Sequence, residues 1–147
     1  QICHNGKKCS CGNTGCLEGY GSTSALVQMV REAVEKGKIS NEENKEINGK
    51  WIFQEVSKEN QEVKAILEEW IEYISSGIVG LIYIFNPEQV LIGGGVSEQK
   101  ELFIEPLNKK VRASVMKHFL GNFELKAAEL GNDAGMVGAV YYCIQNE

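Results

Sequence analysis

With 147 residues, 43% of them hydrophobic and 24% charged, the chain has the make-up of one globular unit able to bury a sizeable core, which excludes a disordered tail. A net charge of -5 with no long run of Lys or Arg excludes a nucleic-acid surface built from these residues, Lys7-Lys8 and Lys109-Lys110-Val111-Arg112 being short solvated faces. The longest uncharged apolar stretch, Ile74 to Pro87, is too short for a membrane span and is broken by two glycines and an Asn.

In chain order the first feature is "CSCGNTGCLEGYGS", which puts Cys9, Cys11 and Cys16 within eight residues and sets Glu18 directly behind them. Thiolates are soft ligands suited to Zn²⁺, which takes four N or S donors in a tetrahedron. Three donors are visible, and glycines at 12 and 15 let the chain double back; unliganded thiols or transient oxidation are the alternatives. A redox site would more naturally show C-x-x-C. His4 lies close enough in sequence to be considered as a fourth ligand. The odd cysteine count fits a reducing, cytoplasmic compartment, and Cys143, in an apolar C-terminal stretch, reads as a small buried hydrophobe.

Ser24 to Lys36 reads as a helix with Leu26, Val30, Ala33 and Val34 on one face, an N-cap among Ser22, Thr23 and Ser24, and Gly37 past its end. The polar segment Ile39 to Lys50 reads as a loop carrying an Asn-Gly pair, followed by a short helix from Trp51 to about Lys58. From Glu62 to Phe85 apolar residues recur at three and four, predicting one long helix stopped by Asn86-Pro87. Gly77 and Gly80 cost helix propensity there, and their expected use is to let another backbone come close.

Gln89 to Ile92 reads as a buried parallel strand feeding the glycine-rich turn "GGG", after which Ser97 can cap a helix that Pro106 kinks or restarts before Val111, Val115 and Met116 continue its apolar face. His118 reads as a surface or boundary residue. Phe123 to Ala127 reads as a second strand. A last helix begins near Asp133 with Val137, Val140, Tyr141 and Ile144 on one side. Strands alternating with helices make this an α/β unit with a mostly parallel sheet, and too few strands are visible to close a doubly wound one. The turn in "LIGGGVSE" reads either as a tight turn only or as one that lets backbone N–H groups face a nucleotide or phosphate, and it is not a full G-x-G-x-x-G, since Glu98 stands at the last glycine.

"CSCGNTGCLEGYGS", "IFNPEQVLIGGGVSE" and "LGNDAGMVGAV", in this order, resemble the ROK family (repressors, open reading frames, kinases) over essentially the whole chain. The resemblance implies the C-terminal lobe of an actin-like ATPase (ribonuclease H-like) fold. It implies structural zinc on Cys9, Cys11 and Cys16, sugar hydroxyls bound by Glu18, and a nucleotide lying against Gly94 and Gly95. It also implies ATP with Mg²⁺ as co-substrate and a homodimer. The family's zinc His belongs to an E-x-x-G-H element upstream of the cysteines, so His4 is not that ligand.

The family's base Asp and its phosphate-binding Asp-Gly-Gly-Thr segment have no counterpart among these residues. Asn132-Asp133 imitates the Asn-Asp pair of that base but sits in the family's C-terminal motif. The expected organisation is a zinc-binding loop with the sugar-contacting Glu over residues 1–22 and a helical, nucleotide-binding lobe over 23–147, with the N-terminal lobe absent and no turnover by the fragment alone. The expected function of the intact protein is phosphorylation of a hexose or N-acetylhexosamine, at C6 by the usual family pattern. The alternative is the sugar-sensing half of a repressor, which would bind DNA through an upstream winged helix.

Overall fold

The computed structural model describes residues 1–42, 44–130 and 133–145. After an N-terminal loop the order is α1 (Glu18–Gly21), α2 (Thr23–Glu35), α3 (Gly49–Ser57), α4 (Gln61–Phe85), β1 (Gln89–Ile92), α5 (Glu105–Ser114), β2 (Glu124–Ala127) and α6 (Ala134–Gln145). The two strands pair in parallel, Gln89 opposite Glu124 and Ile92 opposite Ala127. This is the small parallel sheet of an α/β unit dominated by helices. Among the described residues no helix is long and apolar enough to cross a membrane.

The helix ends follow from their sequences. Ser22 accepts the Ala25 N–H at 3.1 Å, Asn48 the Trp51 N–H at 3.0 Å and Asn60 the Val63 N–H at 3.2 Å, so three helices start on side-chain caps. The cap at Asn48 starts α3 at Gly49, two residues ahead of the expected Trp51. Gly37 (φ +67°) closes α2: its N–H reaches the Val34 carbonyl and that of Lys38 reaches Ala33, the paired bonds of a left-handed helix stop. Asn86 (φ +41°) ends α4 in the same backbone region, one residue before Pro87.

Helix α4 is the spine. Val63, Leu67, Trp70, Ile71, Ile78 and Ile82 are all buried along it and join one core with Leu26 and Val30 of α2, Trp51 and Ile52 of α3, and Leu107 and Val111 of α5. Trp70 is 1% exposed, its ring lies 4.9 Å from that of Phe103, and its Nε1 donates to the Ser22 carbonyl at 2.9 Å. That bond spans 48 residues and ties α4 to the joint between α1 and α2. Arg112 fastens the far end of α5 by donating to the carbonyls of Leu120 and Phe123 while its guanidinium lies 5.1 Å from the Phe123 ring.

Four expectations change, those for Ser97, Met116, strand β1 and Cys143, while Pro106 restarts a helix as expected. Ser97 does not cap a helix: its buried hydroxyl donates to the Gly94 carbonyl at 2.7 Å, within a short 3₁₀ turn (Gly95–Glu98). A π-helical turn (Lys100–Ile104) follows, and Pro106 then sits in the first turn of α5, where its missing N–H is harmless. Helix α5 ends at Ser114, so Val115 is buried but Met116 is 58% exposed. Strand β1 is half buried, with Leu91 60% exposed, because a two-stranded sheet has no described layer on that face. Cys143 is exposed, as is every described residue of α6, because the amphipathic spacing marks an apolar face without supplying what covers it. His118 is exposed, as expected.

Candidate metal and ligand-binding sites

The N-terminal loop is held by backbone before any side chain acts. Lys8 and Thr14 form an antiparallel bridge, the Cys9 N–H donates to the Asn13 carbonyl at 2.8 Å, and the Gly12 N–H closes the turn on the Cys9 carbonyl at 3.0 Å. Gly12 (φ +89°) supplies the left-handed residue such a turn needs. Gly15 (φ +71°) admits no other residue, since a Cβ there would stand 1.7 Å from the Cys3 carbonyl oxygen. The buried Tyr20 closes the base of the loop, its hydroxyl accepting the Lys7 N–H at 2.7 Å and its ring lying 4.8 Å from that of Tyr73 on α4.

This folding brings the sulfurs of Cys9, Cys11 and Cys16 within 4.8 Å of one another, Cys11 and Cys16 being 3.6 Å apart. Around a tetrahedral Zn²⁺ with Zn–S of about 2.3 Å the sulfurs stand about 3.8 Å apart. The donor set therefore fits a soft divalent metal with small adjustments. His4 is not part of the cluster, and neither is Cys3, whose thiol points to the His4 carbonyl. The Asn13 N–H and the thiols of Cys9 and Cys16 bring the Cys11 thiol down to about 7, while the hydrogen bond to Cys11 pushes Cys16 up to about 11. The three thiols thus favour ionisation at Cys11 over Cys16, and a metal binding them as thiolates would displace their protons.

Glu18 opens α1 two residues after Cys16, with its side chain exposed. Gly94 and Gly95 lie far from it in sequence, in the turn after β1. Gly94 takes φ +90° and its carbonyl accepts both the N–H and the hydroxyl of Ser97. Gly95 faces an open cavity of about 1060 Å³ whose other wall is the start of α3, with Lys50 and Gln54 on one side and Glu98 and Gln99 on the other. The contribution of α3 was not read from the sequence. A polar helix face across a loop of uncertain path gives no local signal of what it meets. Of the motif "LGNDAG", Gly131 and Asn132 lie outside the described residues, and Asp133 leads into α6.

A helix-rich α/β lobe with a small parallel sheet, one strand of which runs into a glycine turn, has the C-terminal architecture of the actin-like sugar kinases. The sequence profile of the ROK family matches residues 1–146, and the chain belongs to that family. It is 34% identical over 141 residues to the glucokinase of Thermotoga maritima, covering 92% of this chain and 44% of that protein. It is 31% identical over 142 residues to the xylose repressor of Caldicellulosiruptor bescii, covering 94% of this chain and 36% of the repressor. The structure of a ROK glucokinase from Streptomyces griseus in complex with glucose and AMPPNP superposes with a TM-score of 0.74 at 27% identity, over 93% of this chain and 47% of that one. The chain thus spans less than half the length of the relatives it matches.

Proposed function

We propose that this chain is the C-terminal part of an ATP-dependent kinase for a hexose or N-acetylhexosamine. The observation that carries the reading is the convergence of three thiols immediately before Glu18, in a chain whose relatives include glucokinases. Residues 1–22 form the metal-clipped loop and residues 23–147 the helical, nucleotide-facing lobe. Cys9, Cys11 and Cys16 would hold zinc, with a fourth ligand from outside the cluster, and a metal with four protein ligands serves structure. Glu18 accepts hydrogen bonds from sugar hydroxyls and fixes the ring's orientation. Gly94 and Gly95 offer backbone without side chains to the nucleotide, in the manner of glycine turns at phosphate and nucleotide sites.

The base that deprotonates the attacking hydroxyl and the groups that hold Mg²⁺ and the γ-phosphate belong to an N-terminal lobe, so phosphoryl transfer requires that lobe. The exposed apolar side chains of α6, the end of α4 and Leu91 are consistent with a neighbouring layer. A homodimer in the cytoplasm completes the proposal. The kinship with a xylose repressor favours a second reading, in which the same sugar-binding half reports to an upstream DNA-binding domain. The test is a coupled assay of ADP release by the complete protein with glucose and N-acetylmannosamine. Sugar-dependent ADP release supports the kinase; no release together with sugar-sensitive DNA binding establishes the repressor instead.

A further inference from the structure

Leu17 stands between the last cysteine of the cluster and Glu18, and its side chain is seated in a notch on α4. A Cβ added at Gly77 would lie 2.7 and 2.9 Å from the two methyl carbons of Leu17 and 3.4 Å from its Cγ. A Cβ at Gly21, on the other side, would meet the same leucine at 3.2 Å and Ile74 at 3.0 Å. Gly80, three residues further along the same helix, has nothing within 4 Å. Each glycine inside α4 costs about 1 kcal/mol of helix stability relative to Ala. Only at Gly77 does the packing give that cost a purpose, and what approaches is a side chain rather than the expected backbone.

We propose that Gly77 is a positioning residue for the sugar site. Its missing Cβ sets Leu17, and through Leu17 it sets Glu18 on one side and Cys16 on the other. The inference rests on the assignment of Glu18 to the sugar. Two further contacts hold the segment just beyond it, the Tyr20 ring on Tyr73 and the Trp70 Nε1 bond to the Ser22 carbonyl, so a methyl at position 77 is met either by rotation of the Leu17 side chain or by a shift of the backbone it shares with Glu18. A displacement of about 1 Å of a substrate-orienting group can lower activity as much as 100-fold.

The complete protein is titrated calorimetrically with glucose and, separately, with AMPPNP, in wild type, Gly77→Ala, Gly80→Ala, Leu17→Ala, the Leu17→Ala/Gly77→Ala pair and Glu18→Gln. Gly77→Ala is expected to weaken glucose about 10-fold or more and leave AMPPNP unchanged, while Gly80→Ala leaves both unchanged. Because Leu17→Ala removes all three crowded atoms, the double variant binds glucose as Leu17→Ala alone does. In ¹H–¹⁵N spectra of the complete protein, the amides of residues 16–19 shift in Gly77→Ala and stay in Gly80→Ala, which tests the seat without any ligand. Equal behaviour of Gly77→Ala and Gly80→Ala overturns the inference. Glucose affinity unchanged in Glu18→Gln overturns instead the sugar-site assignment beneath it.

Discussion

Replacing Trp70 by Phe tests how the loop segment is tied to the core. The substitution keeps an aromatic ring against Phe103 but deletes the Nε1 donor that reaches the Ser22 carbonyl at 2.9 Å. That oxygen also accepts the Leu26 N–H at 3.1 Å, so it is left half satisfied. The lost bond then costs about 1 kcal/mol, the low end for a buried partner. The deleted ring atoms of a residue only 1% exposed leave a void worth about another 1–2 kcal/mol. The sum, about 2–3 kcal/mol, lowers the urea midpoint by about 1–1.5 M if the slope is about 2 kcal/mol/M. Trp51→Phe is the internal control: Trp51 is 7% exposed and its indole makes no hydrogen bond among the described residues, so only the area term applies. Its midpoint should fall by about 0.5 M. Urea titrations followed by circular dichroism at 222 nm measure both, and a Trp70→Phe shift no larger than that of Trp51→Phe refutes the tie.

Cys9→Ser should remove the zinc found at about one per chain in the complete wild-type protein, and should abolish the thiolate charge-transfer band on Co²⁺ substitution; a native protein without metal sinks the metal assignment. Ser75 has a buried hydroxyl with no partner among the described residues, so Ser75→Ala should stabilise the chain by about 1 kcal/mol, read as a rise of about 2–4 °C in the thermal midpoint. Arg112→Lys keeps the charge but loses the fork that holds two carbonyls, and should cost about 1–2 kcal/mol in the same denaturation assay.

Much of this architecture was legible because its signals are local. The course and C-terminal limit of α4 follow from a three-four apolar repeat stopped by Asn-Pro, while the Asn60 cap that starts it at Gln61 went unread. The Ser22 cap and the Gly37 stop bracket α2. The cysteine cluster was readable because glycines at 12 and 15 announce a reversal, and the reversal brings the sulfurs together. Features that depend on distant partners were not readable. The exposure of Cys143 and Leu91 reflects which surfaces find a neighbour, and periodicity says nothing of that. The π-helical turn before Pro106 and the inward hydroxyl of Ser97 are local adjustments by which the chain passes from the glycine turn into α5. Trp70 looked like one more core residue, since its partner lies 48 positions away.

The central claim is that the cysteine-clipped loop presents Glu18 to a sugar. Calorimetric titration of glucose into the complete protein, wild type against Glu18→Gln, measures this most directly. Losing a charge-assisted hydrogen bond to a sugar hydroxyl should weaken binding by about 1.5–3 kcal/mol, or roughly 10- to 150-fold, with AMPPNP affinity unchanged. Glucose bound equally well by both proteins would contradict the account.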